Sequence, residues 1–263
     1  MQKTSYGVLF LLLLSCGKAS HPTKNPPGLE TPPSTSNKGF FLPQELLSDA
    51  DLKRIPDILP TMYYTPLESQ ASCKGRYGRT TYRGTEKTRL LTPEGRPLAT
   101  VCKRFAAILL MEGSGILRDR GRGEVAVNYG GKIRGTNRYY ELGRCKYGEG
   151  IRRELCLLPY HTIAADNKVN KIDEIIYVPA AKGIRLPDGS EHDGYFIVRD
   201  TGGAFRGIGA QRVDLFTGTD PDYRNAFQAA GFHHKKPLEA YKVQGDSAEL
   251  IREKLKEKFQ DLY

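Results

Sequence analysis

Two aspartates sit at the ends of apolar segments that have the composition of strands. Phe196-Ile197-Val198-Arg199 leads into Asp200, and Thr201-Gly202-Gly203-Ala204-Phe205-Arg206-Gly207 follows it. Arg212-Val213 leads into Asp214, with Leu215-Phe216-Thr217-Gly218 after it. Gly202, Gly203 and Gly207 permit positive φ and close backbone approach, so the first segment can end in a tight turn. Two carboxylates on neighbouring strand ends invite acid/base chemistry. Proximity and partial burial would raise the pKa of one and keep it protonated near neutral pH. A lone aspartate before Thr-Gly-Gly reads as a turn cap.

The same stretch resembles the three-aspartate (3D) domain, shared by the membrane-bound lytic transglycosylase A family and by small cell-wall enzymes. Thr162-Ile163-Ala164-Ala165-Asp166, with Ile176-Tyr177-Val178-Pro179 after a gap, resembles the segment that holds the family's first aspartate. The three aspartates are then Asp166, Asp200 and Asp214. The strong part of the resemblance spans about residues 160–232. Thr61-Met62-Tyr63-Tyr64-Thr65-Pro66 resembles an upstream strand and extends it weakly to about residue 60. Asn170-Lys171-Ile172-Asp173 departs from the family's Ile-Pro-Leu-Gly. Arg185-Leu186-Pro187-Asp188-Gly189 suggests an added hairpin, and the link from Gly207 to Asp214 is also longer. These insertions leave the aspartates in place.

The resemblance implies a mainly β fold with a double-psi β-barrel. It also implies cleavage of peptidoglycan without water, at the β-1,4 bond from N-acetylmuramic acid to N-acetylglucosamine, with a 1,6-anhydro sugar as product. A two-carboxylate hydrolase needs a second group for nucleophile or water. Intramolecular attack by the C6 hydroxyl removes that need, so one acid/base suffices. By the family pattern Asp214 is that acid/base. Asp200 sits beside it, tuning its pKa or gripping sugar hydroxyls, and Asp166 supports. Tyr63, Tyr64, Gly202, Gly203 and Arg206 are the substrate-binding candidates. The tyrosines suit sugar stacking and core packing equally, and Arg206 would meet a muramyl or peptide carboxylate. The competing reading is a non-catalytic envelope lipoprotein that binds peptidoglycan. Asp200-Thr201-Gly202 also matches the aspartic-protease signature, but that dyad needs two such loops, and Arg199 stands where an apolar residue belongs.

Other short segments must position these residues. Residues 61–65, 124–129, 162–165, 174–178, 195–198 and 212–216 read as strands from β-branched, aromatic or alternating composition. The apolar run 105–111 is counted with them. Many short strands with few long helices argue for a barrel or sandwich. Residues 43–55 and 222–230 suggest short helices. In the C-terminal segment Asp246 could cap a helix, and Ile251, Leu255, Phe259 and Leu262 share one face. That face fits docking on the barrel better than a membrane surface.

The chain has 263 residues, 39% apolar, with a formal net charge of +10. A core is affordable for one large or two small domains, and a basic surface suits a polyanionic partner. The apolar run 8–14 follows Lys3 and closes on Leu13-Leu14-Ser15-Cys16, the pattern of a secretion signal. It resembles a lipoprotein lipobox. That implies lipidation at Cys16 and a place in the cell envelope, anchored in the outer membrane and facing the periplasm. Residues 1–16 are then the signal, 17–42 a Pro/Ser-rich tether, and 43–263 the catalytic region. Peptidoglycan glycan strands and, through the lipid, a membrane are the expected partners. Nucleic acid is not expected in an exported protein, and no dimerisation signal argues against a monomer. Cys73, Cys102, Cys145 and Cys156 remain, an even number in an oxidising compartment. Chain order favours Cys73–Cys102 and Cys145–Cys156. No Cys-x-x-Cys pair supports zinc, and the adjacent His233-His234 read as a basic loop tip, so neither metal nor cofactor is expected.

Overall fold

Alternating and fully apolar segments pair into several sheets in this computed structural model, which describes residues 49–205, 207, 209, 211–221 and 223–262. These residues belong to one compact unit. It begins with the long strand β1 (Leu52–Tyr63). An outer set of elements follows: β2 (Lys74–Tyr77), β3 (Thr80–Arg83), β4 (Lys87–Leu91), β5 (Pro97–Cys102), α1 (Lys103–Glu112), β6 (Ser114–Leu117), β7 (Val125–Ile133) and β8 (Thr136–Glu141). The chain then returns with β9 (Thr162–Ala165), β10 (Ile175–Tyr177), β11 (Tyr195–Asp200), β12 (Arg212–Phe216), α2 (Ala226–Ala229), β13 (Leu238–Val243) and α3 (Gly245–Lys258).

The returning strands and β1 form one sheet in the order β1-β12-β9-β11-β10-β13, and β13 pairs back onto β1, so the sheet closes on itself. The pairs β1/β12 and β9/β11 are parallel and the others antiparallel. Its interior holds Ile58, Ile163, Ala165, Phe196, Val198, Val213 and Leu215, joined by Phe227 and Phe232. β9 is buried at all four residues. A strand covered on both faces reads as a continuous apolar run instead of an alternating one. Outside the closed sheet, the hairpin β4-β5 and the sheet β6-β7-β8 pack with α1 around Leu90, Val101, Phe105, Leu109 and Val127.

Both disulfides form as chain order favours. Cys73–Cys102 joins the start of β2 to the start of α1, and Cys145–Cys156 closes the segment before β9. Arg185 bridges Glu191, so the added hairpin is present.

Four expectations need correction. The run 105–111 lies in α1. Phe105, Ile108 and Leu109 are its buried positions and share one helical face, a periodicity that so short an apolar run hides. The helix expected over 43–55 is not found in its described part: Asp49–Asp51 is a single 3-10 turn, and Leu52 opens β1. Pairing with both β12 and β13 overrides local preference there. Gln244, not Asp246, precedes α3 as its cap residue, and Asp246 falls in the first turn. α3 docks Ile251 and Leu255 onto Ile175, Tyr195 and Val243, with Phe259 and Leu262 beside them. α2 is shorter than expected and is capped by Asn225, whose side chain accepts from Gln228 N.

Candidate active site

β9 lies between β11 and β12, and Ala164 at its centre pairs with an aspartate on either side. Asp214 is its antiparallel partner and Asp200 its parallel partner. Two strand spacings separate the aspartate Cα atoms by ~10 Å. A bulge between Val198 and Asp200 lets β11 re-aim its last side chain. Ile163 and Ala165 point into the closed sheet, so Ala164 points to the other face, as strand alternation requires. Its methyl is small enough to leave space between the carboxylates.

That space opens into a cavity of about 750 Å³ between the closed sheet and the outer elements. Tyr63, Ala164, Asp200, Thr201, Gly202, Gly203 and Asp214 line it from the closed sheet and its loops. Glu112, Ser114, Asn128 and Glu149 line it from the other side. Met62, Leu110, Met111 and Ile151 supply apolar surface. Met111 is 75% exposed, a position with no packing reason to be apolar.

The outer wall is held by a buried network. Ser114 Oγ donates to Asn128 Oδ1 at 2.7 Å, and Asn128 Nδ2 donates to the Glu149 carbonyl at 2.8 Å. The Glu149 carboxylate is occupied by Tyr140 Oη at 2.9 Å and Glu154 N at 2.9 Å. The Glu149 loop can reach the closed sheet only because of glycine. A Cβ on Gly150 would stand 2.0 Å from the Arg199 carbonyl oxygen.

Burial dominates the electrostatics of the pair. It pushes the Asp214 carboxyl up to about 6, against the pull of Arg212 and with the help of Asp200. Asp214 Oδ1 has no hydrogen-bond partner, so nothing in the protein compensates its charge at that atom. Burial also pushes Asp200 up to about 6, moderated by Thr201 N–H at 2.8 Å and by the Tyr63 hydroxyl. Tyr63 is itself buried, its ring 5.0 Å from that of Phe216, and burial beside two carboxylates raises its own pKa. Its hydroxyl therefore stays protonated and faces the acids, while its ring belongs to the core.

The other sequence candidates fall elsewhere. Asp166 is buried outside the cavity lining. Oδ1 accepts from Lys168 N at 3.0 Å and Oδ2 from Gly207 N at 3.3 Å, so it braces the loops beside the pair. Tyr64 is not in the lining, and its N–H donates to Glu112 Oε2 at 3.3 Å. Arg206 and Cys16 lie outside the described residues. Glu112, Asn128 and Arg212 were not anticipated. Glu112-Gly113-Ser114-Gly115 follows the apolar run 105–111, and its placement against β1 depends on long-range packing.

His161, His192 and Asp193 are buried within 4.8 Å of one another, a set of cation-ligand types. Their ring nitrogens are already engaged. His161 Nδ1 meets the Pro159 carbonyl and its Nε2 meets Lys258 Nζ; His192 Nε2 meets the Tyr160 carbonyl and its Nδ1 accepts from Gly194 N. Burial drives both rings down to about 3, so they are neutral. This is a satisfied polar core.

Residues 161–238 match the family model of the 3D domain. Solved structures similar to the chain include a membrane-bound lytic murein transglycosylase from Agrobacterium tumefaciens. It is 14% identical, with 77% of each chain covered and a TM-score of 0.46. Escherichia coli MltA with bound chitohexaose is 15% identical, with 72% of each chain covered and a TM-score of 0.41. The lytic transglycosylase LtgG of Burkholderia pseudomallei is 17% identical, with 71% of each chain covered and a TM-score of 0.37. Comparison with the curated proteins gives no match.

Proposed function

We propose, from the premise that this chain carries a 3D domain over residues 161–238, that it is a peptidoglycan lytic transglycosylase. The observation that carries the reading is Asp214: a carboxyl raised to about 6 that lines the cavity beside a second acid, with one buried oxygen left unpartnered. Such a group is ~10% protonated at pH 7, far more than an ordinary aspartate, and can protonate the glycosidic oxygen between N-acetylmuramic acid and N-acetylglucosamine. The carboxylate left behind then takes the proton of the muramic C6 hydroxyl as that oxygen attacks C1. The product is 1,6-anhydro-N-acetylmuramic acid, and no water is consumed. Asp200 keeps Asp214 basic enough to act in both directions. Tyr63 turns its hydroxyl towards Asp200, and Gly202 and Gly203 let sugar approach the backbone. Asp166 and Gly207 fix the loop that carries those glycines. Arg206 would meet a muramyl or peptide carboxylate.

The two parallel pairs, β1/β12 and β9/β11, support a double-psi crossing in the closed sheet. Lipidation at Cys16 would tether the domain in the envelope, at the outer membrane. No described helix is long and apolar enough to cross a membrane. The test is digestion of purified sacculi by the wild-type chain and by Asp214→Asn. Release of soluble muropeptides by wild type alone is expected. Binding of sacculi by both without release would make this a wall-binding lipoprotein.

A further inference from the structure

The positive charge of this chain is concentrated in one part of it. Residues 73–153 hold 19 lysines and arginines against 7 acidic residues, while the rest of the chain holds 21 against 23. The excess therefore belongs to the outer elements, β2 to β8 with α1, and the segment after them. Some of these cations are paired: Arg96 with Glu94, Arg118 and Arg120 with Glu68, and Arg122 with Glu141. None of these pairs involves the second cavity of this region.

That cavity, about 340 Å³, forms where β3, β4, α1 and β8 meet. Tyr82, Arg89, Lys103, Thr136 and Asn137 line it, and no carboxylate does. Arg89 and Lys103 are exposed, and neither forms an ion pair among the described residues. Glu86 lies near Lys103, but its carboxylate already accepts from the N–H groups of Arg83 and Gly84. Two uncommitted cations in a concave site with hydroxyl, amide and aromatic neighbours suit a discrete carboxylate ligand.

The site lies next to the active-site cavity. Leu110 lines both. Lys103 stands seven residues before Leu110 on α1, ~10 Å along the helix axis. A peptide of about four residues extends ~13 Å. A peptide that leaves the active-site cavity at Leu110 thus spans the distance to Lys103, and Arg89 lines the same site.

We infer that this cavity is a second binding site, which holds the carboxylates of acidic peptides carried by the glycan strand. The inference rests on the reading of the first cavity as a glycan site. A bilayer would present a flat surface to a concave one, and of the residues that line this site only Leu110, 37% exposed, is an exposed large apolar one. The test is binding of the full chain, wild type and Arg89→Glu/Lys103→Glu, to intact sacculi and to the same glycan stripped of peptide by an amidase, both immobilised on a surface because stripped strands do not sediment. Wild type is expected to bind intact sacculi about tenfold more tightly than stripped glycan, ~1.4 kcal/mol. The double variant is expected to lose that difference. Both side chains are exposed, and Arg89→Gln/Lys103→Gln gives a milder form of the same change. Equal binding of intact and stripped glycan by wild type overturns the inference. So does Arg89- and Lys103-dependent binding to phosphatidylglycerol vesicles with no dependence on peptide. The mass of the products, read separately, decides whether the transglycosylase reading stands.

Discussion

Replacing Asp214 by asparagine removes a carboxylate that the fold keeps at a cost. Burial raises its pKa from 3.8 to about 6, ahead of the opposing pull of Arg212. A shift of ~2 units corresponds to at most ~3 kcal/mol, and partial exposure reduces this to ~2 kcal/mol. The sign follows from the raised value. The folded state binds the proton more tightly than the unfolded chain, so stability is fully present below pH ~4 and is lost as pH rises through 6. At pH 7.5 the variant, which carries no charge there, should be more stable than wild type by ~2 kcal/mol. For a domain of this size that is ~4–8 °C in Tm. At pH 3.5 the two should melt together. Thermal and urea unfolding at both pH values measure this, and the same samples should show glycan cleavage abolished in the variant. Equal or lower stability of Asp214→Asn at pH 7.5 would refute the claim that the site strains this carboxylate.

The remaining expectations concern the pair and its supports. Cleavage should quicken as pH falls from 8 towards 6, and Asp200→Asn should move that limb to lower pH, because Asp200 raises the Asp214 pKa; an unmoved limb would separate the two acids. Gly150→Ala places a Cβ 2.0 Å from the Arg199 carbonyl oxygen, so urea unfolding should show a loss of ~1–3 kcal/mol or more. His161 and His192, held down to about 3 by burial, cost stability as pH falls from 6.5, up to ~1.4 kcal/mol per pH unit each. Asp200 and Asp214 act in the opposite direction over pH 4–6. Wild-type stability should therefore be nearly flat between pH 6 and 5, whereas Asp200→Asn/Asp214→Asn should lose ~2–3 kcal/mol over that interval.

The strands that carry the pair were legible because their composition is local evidence. β9 and β12 match the expected ranges residue for residue, since Thr162–Ala165 and Arg212–Phe216 are bounded by turn residues and rich in β-branched or aromatic types. Apart from β7, expected over 124–129, the outer elements were not. β2 and β3, KGRY and TTYR, are mostly exposed and show no apolar alternation to mark them. α1 was hidden because an apolar run of seven residues fits a strand or a helix equally. With α1 missed, neither Glu112 nor Leu110 could be set against β1, so half of the cavity wall was invisible. Tyr63 and Tyr64 were indistinguishable in sequence. Strand alternation sends them to opposite sides, and only the register of β1 on β12 decides which one meets the aspartates.

The central claim is that the bond breaks by attack of the substrate's own hydroxyl. Digestion of sacculi in water enriched in oxygen-18, followed by mass spectrometry of the released muropeptides, tests it most directly. Products that end in 1,6-anhydro-muramic acid, lighter by one water and free of label, are predicted for wild type and absent for Asp214→Asn. Reducing-end products carrying oxygen-18 at C1 would mean that Asp214 and Asp200 activate water, and the transglycosylase account would be wrong.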